Sequence, residues 1–148
     1  MPKVGSLGID AEKFKVPKML KVGSEKIDRN EDNKEFSKKL EKRTREFAVR
    51  IIRLSGKLPN TPECKVVKNQ ITKSGTSIGA NYREANRSRS KADFRNKIRI
   101  CESEASETQY WLEVIVDAQR LNCEEVEAEH KECSELLAIF TSIGKSLS

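Results

Sequence analysis

Histidine is nearly missing from this chain, which holds only His130 among 148 residues. A zinc site of the His/Cys type therefore lacks its usual material, and the one histidine available as a general base is His130. Aromatic residues amount to 5% and β-branched runs are short, which leaves little that fits the pleated surface of a sheet. No apolar run approaches the roughly 18 residues that span a bilayer, and none near the N-terminus suits a signal peptide. The expectation is a cytoplasmic protein with no membrane partner. The four cysteines, Cys64, Cys101, Cys123 and Cys133, form no Cys-x-x-Cys pair; three of them, Cys64, Cys101 and Cys133, fall in phase with apolar neighbours, which predicts buried reduced thiols.

Catalytic patterns are missing as well. There is no Gly-x-Ser-x-Gly elbow. The run Gly75-Thr76-Ser77-Ile78-Gly79 lacks the Gly-Lys-Ser/Thr ending of a phosphate loop and the strand before it. Glu127 to His130 has the Glu-x-x-His spacing of di-iron bundles, which need two such motifs. His130 is accordingly expected at the surface or at a boundary, and no metal, cofactor or enzymatic activity is expected.

What the chain does have is charge and helix formers. Charged residues make up 35%, and Lys, Glu, Arg, Ala and Leu together favour helix. The net charge of +6 is unevenly spread. Residues 1–100 carry 26 Lys/Arg against 12 Asp/Glu, and residues 101–148 carry 3 against 11. Such a split predicts a surface that attracts polyanions, a pairing of opposite faces within the molecule, or both.

Residues 1–30 show scattered glycine, two prolines and no helical period, which predicts a flexible basic N-terminal tail ahead of a bundle domain over 31–148. The first helix is expected from Asp32 or Asn33 to Ser55, with Phe36, Leu40, Phe47, Ile51 and Leu54 on one face at about 100° per residue. Its opposite surface carries Lys38, Lys42, Arg45 and Arg53. Thr61, Pro62 and Glu63 form a start signal for a second helix reaching Ala85 or Arg87. Gly75 and Gly79 would each cost about 1 kcal/mol there, so their presence predicts a close approach to another helix. Ser88 or Ser90 caps a third helix running to about Leu121. It carries two apolar stripes, the core set and a second one of Ile100, Trp111, Val114 and Ala118, which predicts a central helix or one buried against another subunit. A fourth helix over Glu125–Leu147 is expected to present Glu125, Glu127, Glu129, Glu132 and Glu135 outward. Four amphipathic helices with short links make an all-α, antiparallel up-down-up-down four-helix bundle.

Arg83, Arg87, Arg89, Lys91 and Arg95 surround the turn between the second and third helices, joined by Lys97 and Arg99. Such a concentration makes a phosphate-backbone footprint; the competing reading is a solvated face whose arginines pair with the fourth helix. Asn81, Glu84 and Glu107 lie near apolar faces and are expected to form a structural polar network with nearby arginines.

At these residues the sequence resembles a known family. Ser77-Ile78-Gly79-Ala80-Asn81-Tyr82-Arg83-Glu84-Ala85, then Ser90-Lys91-Ala92-Asp93-Phe94, then Glu104, Glu107 and Trp111-Leu112, is similar to the bacterial four-helix bundle family. That family includes proteins encoded in intervening sequences of 23S rRNA genes, and its relatives include accessory variability proteins of diversity-generating retroelements. The similarity runs from about Asn33 to Ile143. It implies a ring-shaped homopentamer and, in the retroelement branch, a basic surface that binds RNA or DNA and docks a reverse transcriptase. It implies structural roles for Asn81, Glu84, Asp93, Phe94 and Glu107 and no catalytic residues. Where the family often has glycine this chain has Ala85, which places the turn later. The expected function is that of a non-catalytic oligomeric protein binding nucleic acid, RNA in preference to DNA, as a possible partner of a reverse transcriptase; the alternative is a protein–protein scaffold.

Overall fold

The computed structural model describes residues 26–147, with side chains from Glu31 onward. Among the described residues it contains four helices and no strand: α1 (Lys26–Ser55), α2 (Pro62–Ala85), α3 (Lys91–Asp117) and α4 (Cys123–Ser146). Each helix packs on its neighbour in sequence, and α4 closes lightly against α1. Paired residues give the directions. Going up α1, Thr44 and Ile51 meet Gly79 and Gly75 of α2. Going up α3, Glu102 meets Thr141 of α4, the carbonyl of Ala105 meets Cys133, and the amide of Gln109 meets Ser134. Sequential helices are thus antiparallel, as links of five or six residues require.

The core is the set of apolar positions that the helical period places together: Phe47 and Ile51 from α1, Ile71, Ile78 and Tyr82 from α2, Ile98, Leu112 and Ile115 from α3, Leu136 and Phe140 from α4. Each large side chain fully buried there contributes about 1.5–3 kcal/mol. Tyr82 meets Phe140 edge to face, with ring centroids 5.5 Å apart, an arrangement the ring quadrupoles favour.

The close approach signalled by the glycines is present. A Cβ at Gly75 would stand 2.8 Å from Ile51 Cγ2, and one at Gly79 would stand 2.9 Å from Thr44 Oγ1. Buried hydroxyls sit in the same layer: Thr108 Oγ1 donates to Ser74 Oγ at 2.8 Å, and Thr44 bonds back to the carbonyl of Leu40. Cys64, Cys101 and Cys133 are buried free thiols and Cys123 is half-buried. Burial pushes the Cys101 thiol up to about 12 and raises Cys133 further, so neither supplies a reactive thiolate.

Several boundaries differ from expectation. α1 begins at Lys26, so its first residues fall inside the stretch read as tail, while residues 1–25 lie outside the described residues. α3 stops at Asp117 instead of Leu121 because Gln119 adopts φ 56°. Gln119 N–H donates to Val116 O and Arg120 N–H to Ile115 O, the paired closure of a left-handed helix end, here without the usual glycine. α4 begins at Cys123, two residues early, because Asn122 and Glu125 cap each other reciprocally at 2.9 and 3.0 Å. No helix among the described residues is long and apolar enough to cross a membrane.

Candidate nucleic-acid interface

The turn after α2 is built by capping. Ala85 ends the helix, Asn86 closes it through its backbone N–H, and Ser90 starts α3 by accepting from Asp93 N–H at 3.1 Å. Between them Arg87 and Arg89 project from a chain that has no apolar face to bury, and both are exposed. Asn86 Nδ2 donates to Glu41 Oε2 at 2.8 Å and so ties the turn to α1.

Two concavities result. One is a groove between α1 and α2 that brings Arg45, Arg83 and Arg87 together with Glu41 and Glu84, over a floor of Ala48, Gly79 and Ala80. Arg83 stands in the last turn of α2 and Arg87 two residues past its end. The other lies at the start of α3, where Arg89, Lys91 and Arg95 meet Ser88, Ser90 and the end of α4. Arg95 is the half-buried member: its Nη2 donates to Leu147 O at 3.0 Å, and its Nε is buried without a partner among the described residues. Lys38 and Lys42 lie on the exposed side of α1, with Lys42 3.8 Å from Glu46. Arg53 is exposed in the last turn of α1, about 12 Å beyond Arg45, and lines neither concavity.

Three glutamates of α4 are engaged elsewhere. Arg43 donates to both oxygens of Glu132 at 2.7 Å and to Glu135 Oε1 at 2.8 Å, and Arg50 stands 3.7 Å from Glu129. The Glu132 hydrogen bond and the charges of both glutamates hold the Arg43 guanidinium above its usual range, against the opposing effect of burial. Glu129, Glu132 and Glu135 thus face α1 and not outward. Arg45, Arg53, Arg87, Arg89 and Lys91 make no ion pair among the described residues. Arg83 lies 3.7 Å from Glu41, and Lys97 binds Glu84 at 2.9 Å, an interaction that raises its pKa.

Asn81, Glu84 and Glu107 make three separate contacts, not one network with arginines. Asn81 bonds back to Ser77 O at 2.8 Å, Glu84 takes Lys97, and Glu107 accepts from Trp111 Nε1 at 3.2 Å. Of the second stripe of α3, Ile100, Trp111 and Val114 are half-buried and Ala118 is exposed. Trp111 packs against its own core, while Tyr110 beside it is 56% exposed.

His130 corrects the expectation of a surface residue. It is fully buried, with Nε2 2.9 Å from Glu113 Oε2. The signal was available, because Val126, His130 and Cys133 share one helical row. No group of three metal-ligating side chains exists among the described residues.

A family model described as 23S rRNA-intervening sequence protein matches residues 30–142. Among solved structures the chain is similar to a protein of unknown function from the S23 ribosomal protein family of Bacteroides thetaiotaomicron VPI-5482. The two are 42% identical with a TM-score of 0.67, over 71% of this chain and 97% of that one. No curated protein matches.

Proposed function

Starting from a chain that belongs to the 23S rRNA-intervening sequence protein family, we propose a non-catalytic protein that binds the backbone of nucleic acid. The face is α1 with the α2–α3 turn, and RNA is put ahead of DNA on the family's name alone. The observation that carries this reading is the state of the cations. Arg45, Arg87, Arg89 and Lys91 are exposed and make no ion pair among the described residues, while the glutamates of α4 that could neutralise them are held by Arg43 and Arg50. Guanidinium groups suit phosphate because they donate in a planar fork, and each phosphate they neutralise releases condensed counterions.

Affinity for a mixed-sequence RNA, measured at several salt concentrations, tests it. A steep fall with salt is expected. Arg87→Glu with Arg89→Glu lowers the affinity and also flattens the salt dependence, by about one unit of slope for each phosphate no longer neutralised. No binding at low salt would overturn the reading and leave a protein–protein scaffold in its place.

Self-association is the second part of the proposal. In a ring-shaped homo-oligomer joined through the Ile100, Trp111, Val114 and Ala118 stripe, several copies of the face act together and weak interactions sum. The exposed ring of Tyr110 beside that stripe supports it. Because Trp111 also serves its own core, Ala118→Glu is the cleaner probe. It should shift sedimentation toward monomer, and an unchanged oligomer rules this interface out.

A further inference from the structure

The α1–α2 groove holds two carboxylates where a surface meant only for phosphates would hold none. They are not alike. Glu84 is 64% exposed and its Oε2 is taken by Lys97. Glu41 is 30% exposed and held in place. Its Oε2 accepts from Asn86 at 2.8 Å, whereas its Oε1 lies 3.7 Å from Arg83 Nε, too far for a hydrogen bond. An ionised carboxylate offers about four lone-pair sites, so Oε1 remains an open acceptor near Arg83, in a groove that Arg45 and Arg87 also line. Past Glu41 the lining continues through Arg45 to the small side chains of Ala48, Thr76, Gly79 and Ala80, where Gly79 lets α2 press on Thr44. Along about 10 Å of α1, from Glu41 to Ala48 at about 1.5 Å per residue, the groove offers a fixed acceptor, then the cation of Arg45, then a floor of small side chains.

A phosphate is repelled by Glu41, but a nucleotide can satisfy the whole sequence of groups. Phosphate contacts position a strand and base contacts specify it. A carboxylate accepts from the N4 amino group of cytosine. Uracil places the acceptor O4 at the same position, against the carboxylate's lone pairs. In a duplex these edges are already paired, and the deep major groove of A-form RNA does not admit side chains. Resting on the nucleic-acid reading above, we propose that this groove takes an unpaired, amino-bearing base, cytosine before uracil. Glu41 is the acceptor that reads it, and Arg45, Arg83 and Arg87 hold the adjoining phosphates.

The test is fluorescence anisotropy of the full chain with 12-nucleotide oligocytidylate, oligouridylate and an RNA duplex of equal length, at one low salt concentration. Oligocytidylate should bind about tenfold more tightly than oligouridylate, the size of one good base contact, and more tightly than the duplex. Glu41→Gln should bring the ratio close to one while binding persists, since its amide can donate to O4. Asn86→Ala, which unfastens Glu41 without removing it, should lower the ratio partway and keeps the test open if Glu41→Gln melts early. Equal affinities for the two oligonucleotides, a ratio unchanged in Glu41→Gln, or a preference for the duplex overturns this inference and leaves backbone binding standing. No binding to any of the three probes overturns the backbone reading itself.

Discussion

Arg43 on α1 and Arg87 just past α2 carry the same guanidinium and sit in opposite situations. Arg43 is pinned by two glutamates of α4 in a seam where all three side chains are at least two-thirds covered. Arg87 stands in solvent with no ion pair among the described residues. A charge enclosed with its partners is part of the fold, because removing one member strands the others out of water. An exposed charge holds nothing together and is available to a ligand. The comparison breaks if both respond alike to mutation. Arg43→Ala is expected to lower unfolding free energy in urea by about 2 kcal/mol, since it leaves Glu132 and Glu135 unpaired. Arg87→Glu should stay within about 0.5 kcal/mol while weakening RNA binding. A stability loss at Arg87 equal to that at Arg43 would mean that the turn is held by its charges.

Two glycines sharpen the same contrast between enclosed and open positions. At Gly79 an added methyl meets Thr44 at 2.9 Å, with the backbone carbon of Thr44 at 3.3 Å. At Gly144, in α4, it meets nothing within 4 Å. Gly79→Ala should cost about 1–2 kcal/mol through overpacking. Gly144→Ala should add up to about 1 kcal/mol through helix propensity alone. Thermal melts of the two variants moving in the same direction would show that the α1–α2 contact is looser than its geometry.

How much of this was legible in the chain depends on whether a signal is local. Thr61-Pro62-Glu63 announces α2 within three residues and Thr61 is its cap; for α3 the sequence offers Ser88 or Ser90, and Ser90 is the cap. The two glycines of α2 announce close packing because nothing else justifies them mid-helix. The end of α3 was not legible, since Gln119 takes a left-handed conformation that glycine usually signals. The side to which α4 turns its glutamates was not legible either. Glu129, Glu132 and Glu135 flank the apolar row, and a flank becomes an outer face or an inter-helix seam only once a neighbour is placed. Arg43 and Arg50, their partners, lie more than 75 residues away in sequence. The candidate groove shares this limit. Its arginines could be counted from the sequence, but Glu41 enters it only because α1 runs antiparallel to α2.

The smallest expected effect concerns a charge that is neither well paired nor fully open. Burial raises the pKa of Glu104 above its ordinary 4.5, the nearby Glu107 raises it further, and Lys73 offsets part of the shift. A carboxyl whose folded pKa is raised favours the folded state in its neutral form. That contribution is full below the unfolded pKa and is lost as pH rises through the folded value. Glutamine keeps the size and cannot ionise. Glu104→Gln should therefore melt with the parent near pH 4 and above it at pH 7, with the gap opening just above pH 4.5 and then staying constant. Other carboxylates titrate in both proteins and cancel in the difference. The gap should be at most about 0.5 kcal/mol, since solvent still reaches this half-buried group and screens part of such a shift. Parent and variant melting together at every pH would mean that Glu104 turns to water and stands outside the enclosed charges to which Arg43, Glu132 and Glu135 belong.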